Sequence, residues 1–592
     1  MHKEIRNMSL KHWKSVTTIL IIFAFVLGGI SSAQAAPPKV PLIEAVKQGD
    51  LVKVRALLSE QTNVNASEPD GTTALHWAAH LGDASALDLL ITAGGDWKVA
   101  TRNGATPFSL ACYKGHPEVI NRLLEAGADA NALINGEPVL MMAARAGHPD
   151  AIRALLLYGA DPNVKESERG QTPLMFAAAA GNSDAVEVLI YEGSPTTDSR
   201  ADPNARSTGP ETKPFIGGRI PRINDPLGLR AHRDPTWAVN LLGWEFTPIL
   251  WATREGHINT VKVLLEAGAD VNDVKPDGRT ALILAIENRH YELAGFLLEQ
   301  GADPNLGPGY TALHQIAWTR RLNGKFGPLN PEATGSLDSL DLAKMIIAKG
   351  AVINARMEKS FADGYRNRMI RFGATAFLLS SKLVDLPMMK LLLENGADIN
   401  ILNRDNDTPL ILASGGSTLN PGGEDAGTEE EALTVVKYLV EELGQDVNAI
   451  NTNGETPLFG PSYRGWNTVT RYLIDQGAEV GVENLLGWTP TTLADGVFFA
   501  GFYKAQPHTA ELLREIYLEK GLAPPVAGKL NDTSLLTVGA NFTIGDIVTE
   551  PTQGNFQKVA SLDDVKDDAL LLQVTSVDAQ GQPNETKPYS SD

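Results

Sequence analysis

Two histidines, His76 and His80, stand four residues apart, a spacing that puts two imidazoles on one helix face where they could share a zinc ion. Two ligands alone make an incomplete site. Carboxylates are abundant, 71 Asp and Glu in all, but most fall in turns. There Asp129, Asp161, Asp270, Asp303 and Asp398 have a full structural task, accepting backbone amides. No nucleotide-binding Gly-rich loop, Gly-x-Ser-x-Gly elbow or His-Glu-x-x-His helix appears in the chain. The single cysteine, Cys112, aligns with Ala79, Ala144 and Ala178 and reads as a small buried apolar residue with no disulfide partner. The expectation is therefore no catalytic residue, no metal and no cofactor. An enzyme would need a cluster such as His232, Arg233 and Asp234 meeting a pocket. A passive, glycan-associated envelope component would use Trp97, Trp237, Trp244, Trp466 and Trp488 to stack sugars.

The elements that position these residues come from one pattern used again and again. Thr73-Ala74-Leu75-His76, Thr172-Pro173-Leu174-Met175, Thr247-Pro248-Ile249-Leu250 and Thr408-Pro409-Leu410-Ile411 are clear copies. Copies begin at residues 40, 73, 106, 138, 172, 247, 280, 311, 375, 408, 456 and 489. The underlying period of about 33 residues is that of a stacked repeat protein. Each copy reads as turn, helix, short turn, helix, loop. Proline at the first helical position has no amide proton to waste. Val119, Ile120, Leu123 and Leu124 form an apolar stripe of helical period in a second helix. Gly127, Gly159, Gly268, Gly301, Gly350, Gly396 and Gly477 end the second helices, where a left-handed conformation is needed. No copy can bury its stripe alone, so stability has to come from stacked neighbours.

These motifs, together with Gly115–Asn131, Gly256–Asn272 and Leu386–Asn400, resemble the ankyrin family over roughly residues 40–522. The resemblance implies an all-α solenoid of about twelve helix-turn-helix repeats with β-hairpin-like turns. It also implies that His76 and His314 tie neighbouring turns by hydrogen bonds, and that the ends of the first helices line a concave protein-binding side.

The remaining organisation is read around that array. Residues 1–35 form a signal peptide: Lys3, Arg6, Lys11 and Lys14 precede the apolar run Val16–Ile30 and the small-x-small site Ala33-Gln34-Ala35. The run is short for a bilayer span, so no integral membrane segment is expected after cleavage. Repeats one to five occupy 36–194, an insertion 195–246, and repeats six to twelve 247–522, with insertions near 319–337, 355–373 and 415–429. Insertion one is expected to divide the array into two units that melt separately. Residues 523–592 form a C-terminal tail, a small β segment or partly disordered, with strand-like runs at Ser534–Val538, Phe542–Val548 and Leu570–Val574.

The net charge of −20 argues against nucleic-acid backbones and anionic membranes as partners. Against that acidic background, the residue seven places after the opening Thr or its equivalent is basic or aromatic in seven of nine uninterrupted copies, Lys47, His80, Tyr113, Arg145, Arg254, Lys382 and Tyr463, the others being Ala179 and Glu287. Insertions two and three add Arg320, Arg321, Lys325, Arg356, Lys359, Arg366, Arg368 and Arg371. Tyr and Arg dominate binding hot spots. Cations also suit the end of any helix, which leaves a purely structural reading open. The sequence thus predicts an exported, periplasmic or extracellular scaffold, monomeric, that binds a protein with an acidic surface through those seven residues.

Overall fold

Threonine opens the first helices for a local electrostatic reason. At Pro248–Glu255, Thr247 is the N-cap in an extended conformation and Pro248 takes the first helical position. Thr280 accepts the N–H of Ile283 at 3.1 Å ahead of Ala281–Glu287, and Thr172 that of Met175 ahead of Pro173–Ala180. Gly256 closes Pro248–Glu255 at φ +82°, and a Cβ there would stand 2.6 Å from the His290 ring. Both facts demand glycine. The second helix of that copy, Ile258–Glu266, buries Val261, Val263 and Leu264 before Gly268 turns the chain.

The computed structural model describes residues 40–195, 199–208, 245–321, 333–359, 361, 369, 371–416, 427–485, 487–499 and 502–525, together with the backbone of 557–559, 573–576 and 587–588. Among the described residues twelve helix pairs follow one another, from Pro41–Lys47 with Leu51–Ser59 to Pro490–Asp495 with Pro507–Glu519. This is the all-α repeat solenoid that the sequence predicts. The chain forms two compact units. One runs to Ala111 and includes Glu118–Gly127; the other is Cys112–Pro117 with everything from Ala128 onward. The expected signal peptide and most of the insertions lie outside the described residues.

Two sets of polar side chains couple neighbouring repeats within a unit. In the second unit, Asn272 donates to Gly301 O at 3.4 Å and accepts the N–H of Asp303 at 2.8 Å. Asn131, Asn305, Asn354 and Asn448 make the same paired bonds one repeat on. Within each turn the expected Asp role holds: Asp270 accepts the N–H of Asn272 at 2.9 Å, and Asp161 that of Asn163 at 2.9 Å. On the other edge, His257 Nε2 reaches Ala179 O at 3.2 Å and His290 Nε2 reaches Arg254 O at 3.0 Å. The turn-tying histidines expected at His76 and His314 are also present. His76 bonds Ala105 O at 3.1 Å, and His314 bonds Ala355 O and Ala374 O at 3.0 and 3.2 Å.

Insertion one does not break the stack. Residues 199–208 carry a complete terminal turn, Ala201-Asp202-Pro203-Asn204, displaced from its helix by a few residues. Asn163 accepts from Asp202 N at 2.9 Å, and Asn204 donates onward to Gly268 O at 3.3 Å. Ser207 and Phe246 close the base of the remaining excursion: Ser207 N donates to Phe246 O at 3.1 Å, and Phe246 N to Ser207 Oγ at 3.0 Å. The Asn ladder is therefore continuous across insertion one.

The last repeat contains a hairpin that the periodicity does not announce, Val497–Phe499 paired antiparallel with Phe502–Lys504. In the tail, Gln557–Val559, Gln573–Ser576 and Lys587–Pro588 form a three-stranded antiparallel sheet. The strand-like runs expected at 534–538 and 542–548 lie outside the described residues.

Candidate protein-binding surface

The seven residues predicted to face a partner divide into surface and interior. Lys382 is 2% exposed, and its ammonium donates to Gly416 O at 2.6 Å. The neighbouring first helix, Pro409–Ala413, is only five residues long and ends before Gly415-Gly416, so the cation of the preceding repeat fills the space. Tyr463 is 4% exposed and packs with Phe459, Trp488 and Leu493. Both residues are therefore corrections to the predicted surface. A cation or tyrosine at the seventh place is presented outward only while the next repeat leaves room above it.

The other five remain at or near the surface, each in the unit that holds it. In the first unit, the Lys47 ammonium lies 4.4 Å from the Trp77 ring centroid and 2.5 Å from Glu68 Oε1. Burial alone would lower its pKa, but the bond to Glu68 and the charges of Glu68 and Glu44 raise it. Trp77 Nε1 donates to the other oxygen of Glu68 at 3.0 Å, and His80 meets the Trp77 ring edge-on at 5.6 Å. In the second unit, Tyr113 is exposed, and Arg145 lies over Phe176 at 5.5 Å while bonding Glu137 at 3.1 Å. Arg254 lies 4.3 Å from the Trp251 centroid and 5.6 Å from that of Phe246, and gives Nε and Nη2 to Glu255 at 2.8 and 2.6 Å.

Three of these cations thus stack on an aromatic ring four places after an opening Thr: Trp77, Phe176 and Trp251. The sequence reading misses those rings, because it treats that place as interior. An aromatic at the fourth place matched to a cation at the seventh is the signal that finds them. Stacked cations keep their charge while losing side-chain freedom, which suits them to hot spots.

Beside Arg254 lies a half-buried ionic network that the sequence reading also misses. Arg279 bonds Asp277 Oδ2 at 2.7 Å and Glu287 at 2.8 and 2.9 Å, and Lys275 bonds Asp277 at 3.1 Å. Burial pushes the Asp277 carboxyl up, but the Arg279 guanidinium and the Lys275 ammonium override it and hold the group at about 2. Lys275, shifted down by burial and by Arg279, also lies 4.9 Å over the Phe246 ring.

The basic residues of insertions two and three act differently from expectation where they are described. Arg320 pairs with Asp385, and Arg321 donates to Val384 O at 2.8 Å and to Glu431 at 2.6 Å. Arg356 donates to Leu402 O at 2.9 Å, and Arg371 is buried against Trp318 at 4.2 Å. Arg320, Arg321 and Arg356 thus bond to following repeats, Arg356 while remaining exposed, and Arg371 is buried. Lys325, Arg366 and Arg368 lie outside the described residues.

Among the described residues no group of three His, Cys, Asp or Glu stands close enough to hold a metal ion, and no helix is long and apolar enough to cross a membrane. His76 is already engaged on both ring nitrogens, by Thr73 and by Ala105. Cys112 is fully buried, and burial pushes its thiol up.

The comparisons with known proteins agree with this architecture. A family model for ankyrin repeats in three copies matches residues 42–134, 119–206 and 229–307. The chain is 34% identical over 97 residues to the Notch-regulated ankyrin repeat-containing protein A of Danio rerio, covering 16% of this chain and 86% of that one. It is 32% identical over 97 residues to protein phosphatase 1 regulatory subunit 27 of Mus musculus, covering 63% of that protein. A 30% identical stretch of 176 residues in the mitochondrial disaggregase of Homo sapiens spans only 25% of that protein and 29% of this chain. The human ASB11 ankyrin repeat domain, a solved structure, matches at 24% identity and a TM-score of 0.33, over 42% of this chain and 92% of that one.

Proposed function

Because the chain belongs to the ankyrin-repeat family, we propose that it is a binding scaffold that captures one protein partner and performs no chemistry of its own. The observation that carries this reading is the set of cations mounted on aromatic rings at the ends of first helices, Arg145 on Phe176 and Arg254 on Trp251 in the second unit. The partner presents an acidic surface to them. A relative named as a regulatory subunit of a phosphatase supports a regulatory outcome over a passive one. The N-terminal sequence supports export to the periplasm or beyond, with the mature chain starting at Ala36. The protein acts as a monomer.

The test is affinity capture with the full mature chain, followed by mass spectrometry. Reversing two charges, Arg145→Glu with Arg254→Glu, should reduce capture at least about tenfold at low salt, with the loss shrinking as salt rises. Capture that is unchanged by the double reversal would refute the charged surface. N-terminal sequencing of the secreted protein reads the cleavage site directly.

A further inference from the structure

The turns leading into the repeats that open at Thr375 and Thr408 bring two arginines and an open aromatic ring together. Arg404 N–H donates to Phe372 O at 3.0 Å, which sets the two residues side by side on successive turns. The Arg404 guanidinium lies 5.9 Å from the Phe372 ring centroid, and Phe372 is 49% exposed. Arg356, at the start of insertion three, lays its guanidinium across Gly373. Its Nε donates to Gly373 O at 3.2 Å and its Nη2 to Leu402 O at 2.9 Å. Gly373 has φ +78°, and a Cβ there would stand 2.9 Å from Arg356 Nη2 and 3.5 Å from Arg404 N. Glycine thus leaves the room in which the Arg356 guanidinium rests against the Arg404 backbone.

The fold gives neither arginine a bonded counter-ion. Arg145, Arg153, Arg254 and Arg279 each bond a carboxylate. Arg356 and Arg404 are both exposed, and neither bonds a carboxylate among the described residues. Glu358, exposed two residues after Arg356, bonds neither of them. Asp405 follows Arg404 in the chain but is only 9% exposed. Burial and the charge of Asp407 push its carboxyl up to about 7, with Arg404 opposing in part, so at neutral pH it carries only part of a charge. Elsewhere the chain has carboxylates in excess, with a net charge of −20. Two exposed guanidiniums beside an exposed ring therefore form a local cationic and apolar patch on an acidic molecule.

We propose that Arg356, Phe372 and Arg404 form a second contact surface for the bound protein, one that takes an acidic segment in which an Asp or Glu stands beside an apolar side chain. The carboxylate meets the guanidiniums, whose planar donors suit it, and the apolar side chain lies on Phe372. This rests on the reading of the chain as a protein-binding scaffold and adds a site carried on turns to the one carried on first helices. The acidic chain as a whole repels a nucleic-acid backbone, whereas a short acidic segment meets mainly the local charge.

The experiment uses the full mature chain carrying 4-fluorophenylalanine at residue 372, read by 19F NMR. A pentapeptide with one phenylalanine between two pairs of glutamates is titrated at constant ionic strength. Its glutamine analogue and inorganic phosphate are titrated in parallel. The glutamate peptide should move the residue-372 resonance in a saturable way, and the other two should leave it in place. Arg404→Gln removes no internal hydrogen bond, so it should melt as the wild type does while raising the half-saturating peptide concentration about tenfold, the effect of losing one charge-assisted contact. A resonance that stays fixed with the glutamate peptide overturns the surface. So does one that moves equally with the glutamine analogue or with phosphate, or one that Arg404→Gln leaves unaltered. A resonance that shifts with protein concentration before any peptide is added names a second copy as the occupant and overturns it too. Partner capture is scored separately. Capture that Arg145→Glu with Arg254→Glu abolishes, alongside a silent residue 372, refutes this surface and leaves the scaffold standing. A responsive residue 372 in a protein that captures nothing refutes the scaffold reading alone.

Discussion

Acidification should loosen the repeat around His314 before it unfolds the rest. The side chain is 1% exposed and fully committed. Thr311 N–H can only donate, so Nδ1 is the acceptor at 3.2 Å and the ring proton sits on Nε2, directed at Ala355 O and Ala374 O. Protonating Nδ1 would set a charged N–H against the Thr311 amide inside the core. Burial accordingly lowers the pKa from 6.5 to about 4, with the two carbonyls opposing the shift only in part. The folded state therefore binds fewer protons than the unfolded state between those values. The stabilisation is complete above the unfolded pKa and is lost as pH falls through the interval towards 4. At about 1.4 kcal/mol per unit, roughly 2 kcal/mol disappears by pH 5 and roughly 3 kcal/mol by pH 4. Burial shifts His76, His148 and His290 in the same direction, so the whole-chain pH profile mixes several groups. Comparing wild type with His314→Gln isolates the one. Hydrogen exchange of the amides in Ala312–Thr319 should show a wild-type advantage at pH 7 that narrows by about 2 kcal/mol at pH 5. A gap that is constant from pH 7 to pH 4 would refute the assignment of a neutral, buried imidazole.

Two further outcomes follow from packing. Leu264→Ala empties a fully buried site in Ile258–Glu266 and should cost about 2–5 kcal/mol, read as faster exchange in that repeat and its neighbours and not across the whole chain. Cys112, fully buried with its thiol pushed up, should resist a thiol-specific maleimide at pH 8 in the native protein and react promptly in denaturant; rapid native labelling would contradict its place in the core.

Helix starts and stops are legible in this sequence because each depends on one or two local residues. Thr247-Pro248 sets one end of a helix and Gly256 the other, and neither needs a distant partner. The side chains that decide the candidate surface are harder to read, because their exposure depends on what the next repeat supplies. Lys382 and Arg254 hold the same place in their repeats, yet one is buried under Gly415-Gly416 and the other lies on a tryptophan. Gly460 belongs to the same crowding: a Cβ there would stand 2.4 Å from Gly416 N, so the backbones touch where most repeats interpose a side chain. The displaced turn at 201–204 is legible in hindsight, since Ala201-Asp202-Pro203-Asn204 matches Ala160-Asp161-Pro162-Asn163 residue for residue. An apparent 75-residue step between copies conceals it.

The insertions also change how the array should respond to stress. A repeat protein in which only neighbours touch unfolds as a chain of nearest-neighbour couplings. Arg321 departs from that rule. It donates to Val384 O in the next repeat and to Glu431 in the one after, a residue 110 positions away. Glu431 meanwhile completes the capping box with Thr428 that starts Glu429–Lys437, and its carboxyl is held low first by the Thr428 amide and then by Arg321. Arg320, paired with the buried Asp385 that caps Leu386–Glu394, braces the same junction. Three consecutive repeats are thereby joined through one dipeptide at the base of insertion two. The exposed share of the Arg321–Glu431 pair keeps its direct worth near 1 kcal/mol. Its larger effect should be on cooperativity. In wild type, amides in Ala312–Thr319 and Glu429–Lys437 should open with the same denaturant dependence; in Arg321→Gln those dependences should separate while the global midpoint barely moves. Identical dependences in the variant would show that neighbour contacts alone couple these repeats.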